Sequence, residues 1–376
     1  MNDTRYYSYD EKKFRVGVIL SVILIALKLI YNGPWLPLIV SVALILGSGR
    51  YRLNMEEKVC RRLYYGYLGL MPFVTVFLTQ YLMGRKLQIA LIRNICMGML
   101  LMAIVMLILY ILTLRVRASV FIAMILALLL VTANLYVLAF RGTELSFGDF
   151  SSLTTAAGVM EEYVLLIYDT ELGAWQLLTA LIYASCIFKP FKVRRKAKAR
   201  FRNLVSLAGM LLIFVAGTQN LTVYHWTNQG SKKSVYILNF VLAAEEMVIK
   251  KPADYSKETV TALTSQYEVS SGSRTSTATE SGEMPTVIVI MDESFSDLSV
   301  LGSELNTNTE VTPFISSLSE NTISGYALSS VFGGNTANSE FEFLTGNSMS
   351  QLPAGAVAYQ EYLKGETCSI VSDFNE

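Results

Sequence analysis

Thr336 sits in the stretch of this 376-residue sequence whose residue types best suit chemistry. Residues 331–346 read "VFGGNTANSEFEFLTG": two glycines, Gly333 and Gly334, then Thr336 between Asn335 and Asn338, with Glu340 opening an apolar run. Adjacent glycines permit a tight turn in which backbone approaches a ligand closely. A threonine hydroxyl is a poor nucleophile until a base or a cation activates it. The sequence holds one histidine, His225, far upstream of Thr336. That argues against a Ser-His-Asp arrangement and for a metal ion, which lowers the hydroxyl pKa and neutralises an anionic ligand together. His225, beside Trp226 in "VYHWTNQ", reads as an interfacial residue rather than a ligand.

A second group precedes it in "TVIVIMDES". The β-branched apolar run predicts a buried parallel strand, and Asp292 and Glu293 stand at its carboxyl end, where ligands gather in open α/β sheets. Carboxylates there suit a hard cation, and they equally suit ordinary caps or solvated turns; the local sequence leaves both open. "TPFISSLSEN" reads as a helix opened by Pro313 with Thr312 as its cap. Strand, loop and helix in that order predict an α/β domain over residues 285–376. Its single basic residue, Lys364, against 12 acidic ones suits a cation site and also plain solvation.

The rest of the chain must hold this domain in place. Hydrophobic residues make up 52% of the sequence and mean hydropathy is +0.42, with the apolar runs concentrated before residue 250. Seven stretches read as candidate spans: 14–31, 35–47, 64–83, 88–114, 118–140, 172–188 and 203–220. A span needs roughly 20 apolar residues. The second is short enough for a re-entrant or shallow element, and the last two are near the lower limit, so five to seven helices form an all-α polytopic domain over residues 1–221. Residues 1–251 carry 28 Lys and Arg against 13 Asp and Glu. The basic clusters alternate: Lys12, Lys13 and Arg15, then Arg50 to Arg62, then Arg115 and Arg117, then "KPFKVRRKAKARFR". Basic loops stay in the cytoplasm, so the amino terminus is expected inside and everything after residue 221 outside, with Arg85 and Lys86 the exception. This basic face reads as topology and lipid attraction, not nucleic-acid binding. The first span has no small-residue cleavage site and is expected to remain as an anchor.

Residues 143–171 include an acidic, amphipathic loop, "FGDFSSLTTAAGVMEEYVLLIYDT", that suits either the outer interface or an ordinary packed connection. Residues 222–284 read as an extracytoplasmic linker: a short helix in "KPADYSKETVTALTSQY", then the Ser/Thr/Gly tether "EVSSGSRTSTATESGEMP". The four cysteines are scattered without metal-type spacing, and Cys368 is alone after the tether, so no disulfide framework is expected there.

"PTVIVIMDESFSDL", "TPFISSLSEN" and "GGNTANSEFEFLTGNS" together resemble the bacterial lipoteichoic acid synthase family, membrane-anchored members of the sulfatase and alkaline-phosphatase-like superfamily. The resemblance covers residues 285–360, and the membrane part only through its architecture and "GTELSFGDF". Family members typically have five spans. The resemblance implies that Glu293 is a ligand to manganese or magnesium and that Thr336 is the nucleophile, facing the metal and forming a covalent glycerophospho-enzyme. Asp292, Asn335 and Gly334 would support that site. The donor implied is phosphatidylglycerol, with diacylglycerol leaving and glycerophosphate passing to an envelope polymer or glycolipid. A lipid donor accounts for the anchor, in a multi-pass protein of the bacterial cell membrane. The family's other metal ligands, an Asp-His pair with further histidines and an arginine, lie in the second half of its domain. They are absent from this chain, which is therefore expected to be truncated and impaired. Phosphoethanolamine transfer or sulfatase-like hydrolysis is the near alternative. A non-catalytic membrane scaffold or regulator is the alternative of another class, and a transporter fits less well because mid-span charge is sparse.

Overall fold

Each of the seven apolar stretches carries helix in the computed structural model, which describes residues 7–53, 55–86, 88, 91–141, 144–152, 167–188, 197–223, 234–246, 253–267, 286–292, 295, 302, 308–325, 328–331, 336–353 and 356–375. The chain divides into two units, Met1–Met247 and Val248–Glu376.

In the first unit, α1 (Glu11–Tyr31) starts where the Asp10 carboxylate accepts from the Lys13 N–H at 3.2 Å. It stops at Asn32, whose φ of 50° is a left-handed conformation that asparagine tolerates. The turn sends α2 (Trp35–Arg50) back alongside, so β1 (Tyr7–Tyr9) and β2 (Tyr51–Leu53) meet as an antiparallel pair with Tyr7 opposite Leu53. Gly17, Ser21, Leu24 and Lys28 line the buried stripe of α1, while Val16, Ile19, Val22 and Ile30 stay exposed. Small residues where helices touch and large apolar ones facing outward are the pattern of helices packed in lipid.

The stretch expected as one span over 64–83 is two helices, α3 (Glu57–Gly69) and α4 (Met71–Leu82). Pro72 lies in the first turn of α4, where its missing N–H has no helical partner to lose, so a new helix begins there. α5 (Ile92–Thr113) and α6 (Val116–Arg141) follow, joined through Leu114 in a left-handed conformation. Val76, Leu78, Leu82, Met102, Met124, Leu128 and Val131 form the core of these three helices. α7 (Asp169–Ala184) packs against α2, and α8 (Ala197–Thr218) against α5. Then α9 (Tyr236–Glu246), inside the stretch read as linker, packs on α4, α5 and α6 with Val235, Tyr236 and Leu238 fully buried.

Among the described residues four helices are long and apolar enough to cross a membrane: Glu11–Tyr31, Ile92–Thr113, Val116–Ala139 and Phe201–Thr218, with 21, 22, 24 and 18 residues. Physical reasons hold the others below that length. α2 has 16 residues, about 24 Å at 1.5 Å each against a core of about 30 Å. α4 is cut by its proline, and α7 is 16 residues long and opens with Asp169 and Glu171. Arg85, the exception to the charge pattern, pairs with Glu144 at 3.4 Å, and the two side chains are only 11% and 12% exposed.

In the second unit, α10 (Lys257–Tyr267) is capped by the Ser256 hydroxyl, which accepts from the Thr259 N–H at 3.1 Å. The tether after it lies outside the described residues. α11 (Pro313–Ser317) opens at its proline as expected, although Thr312 contributes its carbonyl, to the Ser316 N–H, and no side-chain cap. α12 (Thr336–Thr345), α13 (Ala358–Glu361) and α14 (Ile370–Asn375) follow. No strand of the expected α/β sheet stands among the described residues of this unit. The "VIVIM" run joins no ladder among the described residues, and Ile288 and Ile290 are 80% and 85% exposed. A strand forms only against a partner strand, and none of the described residues pairs with this run. The closing "TCSIVSDF", whose Ile370 and Val371 would also suit a strand, carries α14. Ser369 and Ser372 exchange hydrogen bonds, each hydroxyl accepting from the other's N–H, at 3.3 and 2.8 Å, which starts a helix instead.

Candidate functional site

Thr336 is the first residue of α12, and it is half-buried. The first N–H groups of a helix lack partners within it and carry its positive dipole end, which makes a helix head a place that suits an anion. What fixes that end is a small apolar core. Phe341, Met349, Ala356 and Ala358 are buried together, with Val331, Leu352, Tyr362 and Leu363 packed around them. Phe341 meets Tyr359 edge-on at 6.0 Å between ring centres.

Polar contacts complete the frame. Asn338, two residues after Thr336, is buried, and its amide donates to the Ala356 carbonyl at 2.7 Å and accepts from the Ala358 N–H at 3.1 Å. The side chain thus makes the pair of bonds a neighbouring strand would make, and bolts the first turn of α12 to residues 356–358. Glu342 holds the other side. Its carboxylate accepts from the hydroxyls of Ser330, Ser329 (3.2 Å) and Ser348 (3.4 Å) and from the Met349 N–H (2.7 Å). Partial burial alone would raise its pKa; the bonds from Ser330 and Met349 outweigh that and hold it below the usual carboxylate range. Glu340 accepts from the Tyr359 hydroxyl at 3.2 Å. α12 then stops at Gly346, whose φ of 69° lets its N–H reach the Glu342 carbonyl at 2.9 Å.

Of the other residues singled out in the sequence, Asp292 is described and exposed, and its carbonyl accepts from the Phe295 N–H at 3.3 Å. Glu293, Gly334, Asn335 and His225 lie outside the described residues. Among the described residues no group of three His, Cys, Asp or Glu side chains comes together. Asp292 and Thr336 do not by themselves make the set of oxygen ligands that a divalent cation requires. Sequence reasoning noticed Asn338 only as a flank of Thr336 and missed Glu342 with its serines. The serine pairs at 329–330 and 348–350, on either side of a helix bearing the acids Glu340 and Glu342, were the signal available.

Residues 285–371 match the family model described as Sulfatase. A protein of Rhizobium meliloti (strain 1021) named for cyclic beta-1,2-glucan modification is 40% identical over 90 residues, 24% of this chain and 13% of that protein. No solved structure matches. The chain thus carries a helix bundle, four of whose described helices suit a membrane, and a later segment matching Sulfatase in which Thr336 and its frame lie.

Proposed function

We propose that this chain is a membrane-anchored transferase of sulfatase type that moves glycerophosphate from phosphatidylglycerol to a carbohydrate or polymer acceptor of the cell envelope. In this reading Thr336 Oγ attacks the lipid phosphorus, the bond from phosphorus to the diacylglycerol oxygen breaks, and diacylglycerol leaves with the proton. An acceptor hydroxyl then attacks the same phosphorus and releases Thr336. The helix N-terminus at α12 stabilises the added negative charge, and Asn338 and Glu342 keep it in position. A divalent cation, manganese or magnesium, would face Glu293 and Thr336. The reading also puts the amino terminus in the cytoplasm and the sulfatase-type segment outside, on the alternation of basic clusters.

The observation that carries this is the place of Thr336, at the head of a helix braced by buried polar contacts, within the residues that match Sulfatase. The relative's name, glucan modification, supports a glycan as acceptor. The test is headgroup transfer in membranes containing the protein, with radiolabelled phosphatidylglycerol or phosphatidylethanolamine supplied in competition. Label should move from phosphatidylglycerol to a glycan fraction with the intact protein and not with Thr336→Ala. Equal transfer by both proteins would refute the reading, and transfer from phosphatidylethanolamine alone would replace its donor.

A further inference from the structure

The sequence "ELSFGDF", residues 144–150, is bonded to the helix bundle at Glu144 and Leu145 and within itself at Ser146 and Asp149, and yet presents two phenylalanines outward. Glu144 pairs with Arg85. The Leu145 N–H donates to Asn134 Oδ1 at 2.7 Å, and the Leu145 carbonyl accepts from the Tyr236 hydroxyl at 3.2 Å. Ser146 donates to Asp149 Oδ2 through its N–H at 2.6 Å and its hydroxyl at 3.0 Å. On this base Phe147 and Phe150 are 55% and 44% exposed. Their rings stand 5.9 Å apart, and Phe240 of α9 closes the triangle at 6.4 and 6.2 Å. A loop fixed by so many polar bonds is not merely frayed with its aromatics in water. It is a rigid shelf whose upper surface is apolar.

The helices give its level. Asn134 is seven residues before the end of α6 at Arg141, so the loop folds back about 10 Å along the bundle from that end. α9 is anchored at the same level: Asn94, in the first turn of α5, donates to the Ser234 hydroxyl at 3.1 Å. The shelf therefore lies near the end of α6 and the start of α5, both membrane-length helices, at a level where aromatic side chains concentrate at the lipid–water boundary. Its carboxylates are engaged within the loop or by Arg85, so what faces outward is hydrocarbon and aromatic rather than charged. That chemistry fits the headgroup and upper acyl zone of a bilayer better than a polar protein surface.

We propose that Phe147, Phe150 and Phe240 form a lipid-contacting shelf that inserts into the interfacial layer of the membrane. The assignment depends on the bundle being embedded and not on Thr336 being reactive. It is tested by placing a photo-crosslinking residue, Phe147→p-benzoylphenylalanine or Phe150→p-benzoylphenylalanine, in the full chain in phosphatidylglycerol/phosphatidylethanolamine vesicles. Leu29 of α1, exposed on a membrane-length helix, and Phe314 of the second unit serve as references under the same substitution. After irradiation, the peptide carrying position 147 or 150 should gain the mass of one phospholipid, as the Leu29 peptide does and the Phe314 peptide does not. Lipid adducts at Leu29 with none at 147 and 150 would overturn the assignment. Cross-links from 147 to peptides of residues 248–376 would overturn it as well and make the shelf a docking surface for the second unit.

Discussion

Replacing Asn338 tests whether the head of α12 is braced as the structure shows. Asn338→Ala strands the Ala356 carbonyl and the Ala358 N–H, both paired to the amide at 2.7 and 3.1 Å. A buried backbone group without a partner costs about 1–3 kcal/mol, so the two together cost about 2–6 kcal/mol. At about 1.4 kcal/mol per tenfold, amide hydrogen exchange in peptides covering 336–345 and 356–362 should quicken by at least about 30-fold. Asn338→Asp adds a sign that simple loss of packing cannot mimic. Ionised, its second oxygen faces the Ala356 carbonyl, acceptor against acceptor. Protonated, it donates there as the amide does. Its folded-state pKa is therefore raised above the ordinary aspartate value of about 3.9. The stability it contributes is fully present below that ordinary value and is lost as pH rises through the folded one. Exchange in the Asp variant should thus approach that of the parent at low pH, after correction for the intrinsic pH dependence of exchange, while the Ala variant stays fast throughout. Parent-like protection in the Ala variant, or no pH dependence in the Asp variant, would refute the brace.

Glu342, whose pKa lies below the ordinary carboxylate range, contributes stability that is present above the unfolded-state value and lost as pH falls through the folded one. Glu342→Gln should flatten that acid-side loss of protection in 329–349 at unchanged neutral-pH fold, read by the same exchange measurement. Arg85→Ala should lower the thermal midpoint of the bundle, since removing one partner of a largely buried pair costs about 3–5 kcal/mol. The double change Arg85→Leu/Glu144→Leu should recover most of it. A Cβ on Gly173 would lie 2.7 Å from the Tyr81 hydroxyl and 3.0 and 3.1 Å from the rings of Pro37 and Pro34. Gly173→Ala should therefore destabilise the α2–α7 contact by about 1–3 kcal/mol, measured by denaturant unfolding in micelles.

The helices of the bundle were legible because apolar runs of this length have few other fates. The division of α3 from α4 was visible in Gly69 and Pro72, but a hydropathy reading averages over one proline. α9 was missed as a bundle element because "YILNFVLAAEE" is too short to register as a span, and what holds it, Gln80, Asn94 and Leu145, lies about 90 or more residues away in sequence. "VIVIM" and "SIVSDF" show two limits of local pattern. β-branched residues ask for a strand, yet a strand exists only with neighbours, and a reciprocal serine pair outweighs them at the start of α14. Thr336 stood out through its glycines and asparagines. Its frame did not, because Asn338 and Glu342 act through bonds to residues up to 20 positions away, and only coordinates show a side chain standing in for a strand.

The most direct measurement is mass spectrometry of the peptide spanning 331–346, after the membrane-embedded protein has met headgroup-labelled phosphatidylglycerol with manganese and the reaction has been stopped with acid. A labelled glycerophosphate on Thr336 itself, gone in Thr336→Ala, is the result expected. Label on another residue, or steady transfer to acceptor while Thr336 is never modified, would contradict the account.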